Sequence, residues 1–332
     1  VKSLEKAIAI KPDYAEAHNN LGNALRDLGQ LDDAVKSYKQ ALDIKLDFAD
    51  AHYNLASVLK ELGQLDDAVK SYEQVLAIKP GYTEAFNNLG SVLEELGQLD
   101  TAVKSYEKIL AINPDFAEAH YNLGVTLEGL GQLDEALKSY EQAIDIKPDY
   151  AEAYYNLGGI LEELGRLDDA VRSLEKAIEI KPDYAEAHNN LGNAFKDLGQ
   201  LDTAVKSYEQ ALTIKPNYAG AFNNLGSVLK ELGQLDAAVK NYEKALAVKP
   251  DFAEAHNNLG IALNELGQLD DAVKSYEQAI EIKPDFAEAH NNLGIALNEL
   301  GQLDDAVKSY EQAIEIKPDF AEAHNNLGIA LN

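Results

Sequence analysis

The sequence predicts an all-α solenoid of antiparallel helix pairs, and three observations carry that prediction. A 34-residue phrase, read at 253–286 as AEAHNNLGIALNELGQLDDAVKSYEQAIEIKPDF, recurs along the chain, and a period between about 20 and 50 residues marks repeat architectures. Within each copy the apolar residues fall in two runs at helical spacing. Glycine and proline punctuate those runs at fixed offsets. Full copies begin at Ala15, Ala49, Thr83, Ala117, Ala151, Ala185, Ala219, Ala253 and Ala287. The expected organisation is one array over 1–332: a half repeat at 1–14, nine full repeats at 15–320 and a half repeat at 321–332. In such an array each unit touches only its neighbours.

In the first copy, positions run from Ala15 as 1 to Phe48 as 34. Asp13, with Glu16 three residues later, has capping-box spacing and predicts the start of helix A. Apolar Leu21, Leu25 and Leu28 follow at positions 7, 11 and 14, beside His18 and Gly22. Gly29 ends the helix. Asp32 is the expected N-cap of helix B, which buries Ala34, Val35, Tyr38, Ala41 and Leu42, with Ile44 at the margin. A proline at position 32 stops helix B in the later copies; Leu46 stands there in the first. Two helices of about 14 residues with a short turn form a hairpin. Position 8 is glycine except at Ala56, and position 20 is always alanine, so the two helices can approach closely.

Composition excludes several function classes. The chain of 332 residues carries 57 acidic and 29 basic side chains, a formal charge of −28. Phosphate binding needs clustered lysine and arginine, so no nucleic acid partner is expected. A hydrophobic fraction of 46% is that of a folded protein. With no cysteine there is no disulfide or thiolate metal site. No apolar run approaches the roughly 18 residues of a membrane span. The compartment stays open, with the cytoplasm favoured.

Leu at position 7, Gly at 8, Ala at 20, Tyr at 24, Ala at 27 and Pro at 32 resemble the tetratricopeptide repeat signature, over the whole chain. Departures are local: the family's aromatic at position 4 is His here, or Phe86, Tyr154 and Phe222, while Leu174 replaces Tyr at 24, and Val75 and Ile109 replace Ala at 27. The resemblance implies a right-handed superhelix, with helix A lining a concave groove and helix B forming the convex back.

Around helix A, positions 4, 7, 8, 11 and 14 share one side and predict the core; positions 2, 5, 6, 9, 12 and 13 share the other. Position 6 is asparagine in all ten helix A segments: Asn20, Asn54, Asn88, Asn122, Asn156, Asn190, Asn224, Asn258, Asn292 and Asn326. Asparagine is a mediocre helix former, and its amide offers a donor and an acceptor to a peptide unit. Helices about 8–10 Å apart would meet an extended chain, advancing about 3.3 Å per residue, at every third residue or so. This ladder, centred on Asn122, Asn156 and Asn190, resembles the one in the tetratricopeptide arm of O-linked N-acetylglucosamine transferases, as does the phrase NNLG followed by G-[QR]-L-D-x-A. The alternative is polarity inherited by duplication, since 251–284 and 285–318 are identical.

Position 12 is acidic at Glu94, Glu128 and Glu162, where flanking copies carry Arg26, Lys60, Lys196 and Lys230; position 5 is aromatic at Tyr121 and Tyr155. Carboxylates beside aromatic faces suit lysine or arginine, so the expected partner is an extended polypeptide, neutral to basic. Those carboxylates read equally as a solvated helix face. Position 5 is never basic, which leaves the family's clamp for acidic C-terminal peptides unsupported. All seven histidines occupy position 4 on the core side and read as structural. No phosphate loop, nucleophile elbow or HExxH is present, so no catalytic residue, metal ligand or cofactor is assigned and no enzyme activity is expected.

The two half repeats leave Leu4, Ile8, Leu327 and Leu331 poorly covered. Excision from a longer array explains this, as does end-to-end self-association into a filament. The reading is therefore an interaction scaffold holding an extended polypeptide. The alternatives are a filament-forming structural protein and the substrate-recruiting arm of a larger glycosyltransferase.

Overall fold

The computed structural model describes residues 1–331, which form twenty α-helices and, among the described residues, no strand. They fall into two compact units, Val1–Ile160 and Leu161–Asn332. The first holds α1 (Lys2–Ile10), then the pairs α2 (Ala15–Asp27) and α3 (Leu31–Ile44), α4 (Ala49–Glu61) and α5 (Leu65–Ile78), α6 (Thr83–Glu95) and α7 (Leu99–Ile112), α8 (Ala117–Gly129) and α9 (Leu133–Ile146). The boundary falls inside α10 (Ala151–Glu163). The second holds α11 (Leu167–Ile180), then α12 (Ala185–Asp197) and α13 (Leu201–Ile214), α14 (Ala219–Glu231) and α15 (Leu235–Val248), α16 (Ala253–Glu265) and α17 (Leu269–Ile282), α18 (Ala287–Glu299) and α19 (Leu303–Ile316), and finally α20 (Ala321–Ala330). Each unit is thus an α-solenoid of antiparallel A and B helices. Among the described residues no helix is long and apolar enough to cross a membrane.

Glycine makes the turn from A to B. The position 15 glycines, Gly29 through Gly301, all have φ between 71° and 75°, a region open to glycine without a Cβ penalty. The Gly29 N–H donates to the Arg26 carbonyl at 2.8 Å and the Gln30 N–H to the Leu25 carbonyl at 2.9 Å. These are the two bonds of a Schellman stop.

The start signals fall elsewhere than the sequence predicts. Helix A begins at Ala15 with Tyr14 as N-cap and no side-chain cap bond, so Asp13 is not the cap. The Tyr14 carbonyl takes the Ala17 and His18 N–H groups, and Glu16 faces Lys45 at 3.9 Å instead of closing a capping box. Helix B begins at Leu31 with Gln30 as N-cap, because the Schellman turn delivers the Gln30 carbonyl to the Ala34 N–H at 3.0 Å. Asp32 and Asp33 therefore lie in the first turn, where they favour the positive end of the helix dipole.

The core is built from positions 8, 20, 24 and 27. Ala34, Tyr38 and Ala41 are fully buried, as are Ile109 and Leu174, two of the residues that depart from the repeat pattern. The position 8 glycines let the position 24 ring lie against helix A: a Cβ on Gly124 would stand 2.6 Å from Tyr140 Cε1. Ala56 shows that one methyl can be absorbed there, with Tyr72 still buried. Leu28, placed in the core by periodicity, is a helix C-cap and 63% exposed, and Ile44 at the core's margin is 39% exposed.

Gly124→Val is expected to destabilise the α8–α9 hairpin by about 1–3 kcal/mol through overpacking. Adding Tyr140→Leu, which copies the natural Leu174, should recover most of the loss. Hydrogen exchange across α8 and α9 in the single and double variants measures both effects.

Candidate functional site

The polar face of helix A is a hydrogen-bonded lattice linking neighbouring repeats. Eight of the ten position 6 amides donate to the position 5 side chain of the preceding copy. Asn54 Nδ2 lies 3.0 Å from Asn19 Oδ1, Asn88 Nδ2 2.9 Å from the Tyr53 hydroxyl, and Asn122 Nδ2 2.9 Å from Asn87 Oδ1. Asn156 Nδ2 reaches the Tyr121 hydroxyl at 3.2 Å and the Tyr140 hydroxyl at 3.3 Å. In the second unit Asn224 donates to Asn189 and Asn193, both at 3.1 Å; Asn258, Asn292 and Asn326 donate to Asn223, Asn257 and Asn291, each at 3.0 Å. Asn190 instead accepts from Asn189 at 3.3 Å. Asn20 is exposed.

This arrangement narrows what the asparagines can offer. Asn156 and Asn224 direct both donor interactions into the lattice, so Oδ1 remains as their acceptor. Position 5 is not a solvent-facing row: Asn19, Asn189, Asn257 and Asn291 are buried. Burial is tolerated because a neighbour's amide satisfies each carbonyl. Tyr121 likewise is half-buried, its ring 4.9 Å from that of Tyr150 and 5.8 Å from that of Tyr140. Burial pushes its hydroxyl pKa up, the Asn156 bond opposes this, and Glu152, Glu128 and Glu94 add to it. Tyr121 therefore sits among carboxylates as expected, but as a packed ring. Tyr53 repeats this arrangement over Tyr82 at 5.2 Å and was not singled out by sequence. Tyr155 is half-buried at the equivalent position of α10.

Positions 12 and 13 form a second link between repeats. Arg26 pairs with Glu61, Lys60 with Glu95 at 3.0 Å, and Lys196 with Glu231 at 3.6 Å. The three acidic residues of position 12 break this row. Glu94 accepts from Thr126 Oγ1, and Glu128 accepts from the Tyr140 hydroxyl at 2.8 Å. Glu162 has no such support: burial, then the like charge of Asp197, push its pKa up to about 7. Position 2 is also committed, since Asp50 pairs with Lys79 at 2.9 Å and Glu186 with Lys215 at 2.8 Å. Asp50 and Glu186 are therefore not free groove charges. The position 4 histidines clasp the entry loop, His18 Nε2 donating to the Pro12 carbonyl at 3.0 Å and His256 Nε2 to the Pro250 carbonyl at 3.0 Å.

The opposite, helix-B side carries cavities that the sequence reading missed. One of about 550 Å³ lies between α5 and α7, with Phe86, Leu89 and Leu93 of α6 among its lining residues. Another of about 520 Å³ lies between α13 and α15, lined in part by Phe222, Leu225 and Leu229 of α14. Both occur where phenylalanine replaces the position 4 histidine.

Stacked helix hairpins with a bonded polar face and an indented opposite side define a helical-repeat protein. The family model described as TPR repeat matches residues 22–63, 192–233, 226–267, 262–301 and 296–331. Models described as Tetratricopeptide repeat match 47–115, 81–149 and 115–183, and 3–36 and 173–206. The chain belongs to the tetratricopeptide repeat family. Comparison with curated proteins finds no match. Among solved structures, the Cut9–Hcn1 hetero-tetramer of the APC/C aligns over 100% of this chain and 81% of that one, at 15% identity and a TM-score of 0.61. Pseudomonas aeruginosa pilF aligns over 62% and 94%, at 21% identity and a TM-score of 0.55. YrrB, described as a TPR protein with an unusual peptide-binding site, aligns over 57% and 97%, at 26% identity and a TM-score of 0.47. The first two show the fold. The repeats support a protein-interaction scaffold with a polypeptide partner, in a fold that is typically non-enzymatic.

Glu162 yields a prediction with a definite sign. Its folded pKa of about 7 lies above the ordinary 4.5, so between those pH values the folded state holds the extra proton. Its contribution is therefore most favourable below pH 4.5 and is lost as pH rises through about 7. Glu162→Gln is expected to melt higher than the parent above pH 7, the gap closing as pH falls towards 4.5. Thermal melts of both proteins across that range measure it.

Proposed function

We propose that the helix-A face holds an extended polypeptide, its backbone N–H groups donating to the Oδ1 atoms of the position 6 asparagines. One observation carries the reading. Asn54, Asn88, Asn122 and Asn156, and then Asn224, Asn258 and Asn292, are held by their Nδ2 atoms while, among the described residues, no neighbour donates to Oδ1. Anchoring the amide beforehand lowers the entropy cost of binding. A net interaction of about 1 kcal/mol per hydrogen bond, repeated from copy to copy, favours a backbone over any single side chain. Around Tyr121 the carboxylates of Glu94 and Glu128, which accept from hydroxyls, favour a lysine or arginine from that polypeptide. In the second unit, Glu162 beside Asp197 offers a cation the place that Lys196 fills next to Glu231.

The test is a titration of the full chain against fluorescent unstructured peptides, neutral and lysine-rich. Changing Asn88, Asn122 and Asn156 together to Ala should weaken binding roughly a hundredfold, from three bonds of about 1 kcal/mol each. Asn87→Ala removes the acceptor of Asn122 but leaves the Asn122 amide in place. It should cost far less affinity. Equal losses in the two variants, or none in the triple variant, would sink the proposal.

A further inference from the structure

We infer that the furrows under Phe86 and Phe222, on the helix-B side, are docking sites for an acidic amphipathic helix of a partner protein. The argument starts from what changes together in the third and seventh copies. In four copies the position 22 lysine is neutralised within its own helix by an acid at position 19: Lys36 with Asp33, Lys70 with Asp67, Lys274 with Asp271 and Lys308 with Asp305, each within 2.9 Å. In α7 and α15 position 19 is Thr101 and Ala237. Position 26 is Gln in six copies but Lys108 and Lys244 in these two. The remaining copy has Lys176, which pairs with Glu179 at position 29, at 2.8 Å. In α7 and α15 position 29 is Ala111 and Ala247. Only these two helices combine all three features: α13 also lacks the acids, with Thr203 and Thr213, but carries Gln210 at position 26. Lys104 and Lys108, and Lys240 and Lys244, are left as exposed pairs, and among the described residues none of the four makes an ion pair.

Beside each lysine pair lies the cavity. Lys108 lines the first with Val69, Leu76, Phe86 and Leu89; Lys244 lines the second with Leu212, Phe222 and Leu225. Lys244 Nζ stands 5.5 Å from the Phe222 centroid. The lining of α7 runs from Gln98 at its N-cap to Lys108, about 15 Å at helical rise. A furrow between two neighbouring helices, with lysines one turn apart along its edge, matches a third helix with glutamates at the same spacing. Glu73 and Glu209 stand on the facing wall, so the occupant's carboxylates belong on the α7 or α15 side and its apolar ridge over the phenylalanine.

The experiment uses the full chain and a fluorescein-labelled helical peptide with leucine and phenylalanine along one face and glutamates flanking it. Binding is expected to saturate, to weaken with salt, and to vanish when the glutamates become lysines. The double variant Lys108→Gln, Lys244→Gln installs the residue that six other copies carry, so folding is safeguarded. It should weaken binding about tenfold, as should Phe86→His with Phe222→His. The Asn88, Asn122 and Asn156 variant should bind this probe normally, which separates the site from the helix-A face. Absence of saturable binding, equal affinity for the lysine peptide, or indifference to both double variants would each overturn the proposal. So would binding to vesicles of anionic phospholipid in preference to the peptide.

Discussion

Everything on the helix-A face depends on how closely helix B lies against it, and that distance is set where a position 24 ring meets a position 8 glycine. With no Cβ in the way, the Tyr140 ring occupies space that any side chain at Gly124 would fill. Its hydroxyl then emerges beside helix A, where Glu128 and Asn156 meet it. Tyr38 reaches Asn23 and Tyr208 reaches Asn193 in the same way, at 2.7 and 2.8 Å. In these copies the buried ring is both a core residue and the anchor of a polar bond on the face, whereas the buried Tyr106 and Tyr242 hydroxyls meet no hydrogen-bond partner among the described residues. Packing and surface chemistry cannot be varied separately at these positions, because displacing the ring displaces the hydroxyl.

That coupling explains which parts of the molecule can be read from residue order. Helix existence, the A-to-B turn and the 34-residue register follow from local rules: apolar spacing, and a glycine where φ must be positive. The N-caps did not, because Asp13 and Asp32 satisfy a local preference that the preceding turn overrides. Once the Schellman turn fixes Gln30, its carbonyl is already placed over the Ala34 N–H. The asparagine row was visible, but half of its chemistry was not. A helical wheel sees one helix, whereas the bonds from Asn54 to Asn19 and from Asn122 to Asn87 join residues 35 apart on neighbouring helices. Their trace was present as an unvarying position 6 behind a position 5 restricted to Asn or Tyr, two side chains that both offer an oxygen.

The same limit applies to charge. A formal charge of −28 suggests an acidic surface throughout, yet much of it is organised as pairs. Position 2 acids meet position 31 lysines, position 12 cations meet the next copy's position 13, and position 19 acids meet position 22 lysines. Exposed pairs of this kind are worth at most about 1 kcal/mol each, so they do little for stability. They do decide which charges stay available. A partner at the surface responds to what is left unpaired, because a paired charge must first be released.

On that basis the informative copies are those where pairing fails. At Glu162 the missing cation leaves two carboxylates facing, and the pKa of one rises to about 7. In α7 and α15 the missing acids leave lysines facing solvent beside an apolar furrow. The two failures have opposite sign and lie on opposite sides of the hairpins. In α7 and α15 a lysine is gained at position 26 while positions 19 and 29 carry no acid, a combination that α13, with Thr203, Gln210 and Thr213, does not share. The charges that such departures leave unpaired are the ones a partner can meet without first breaking an ion pair.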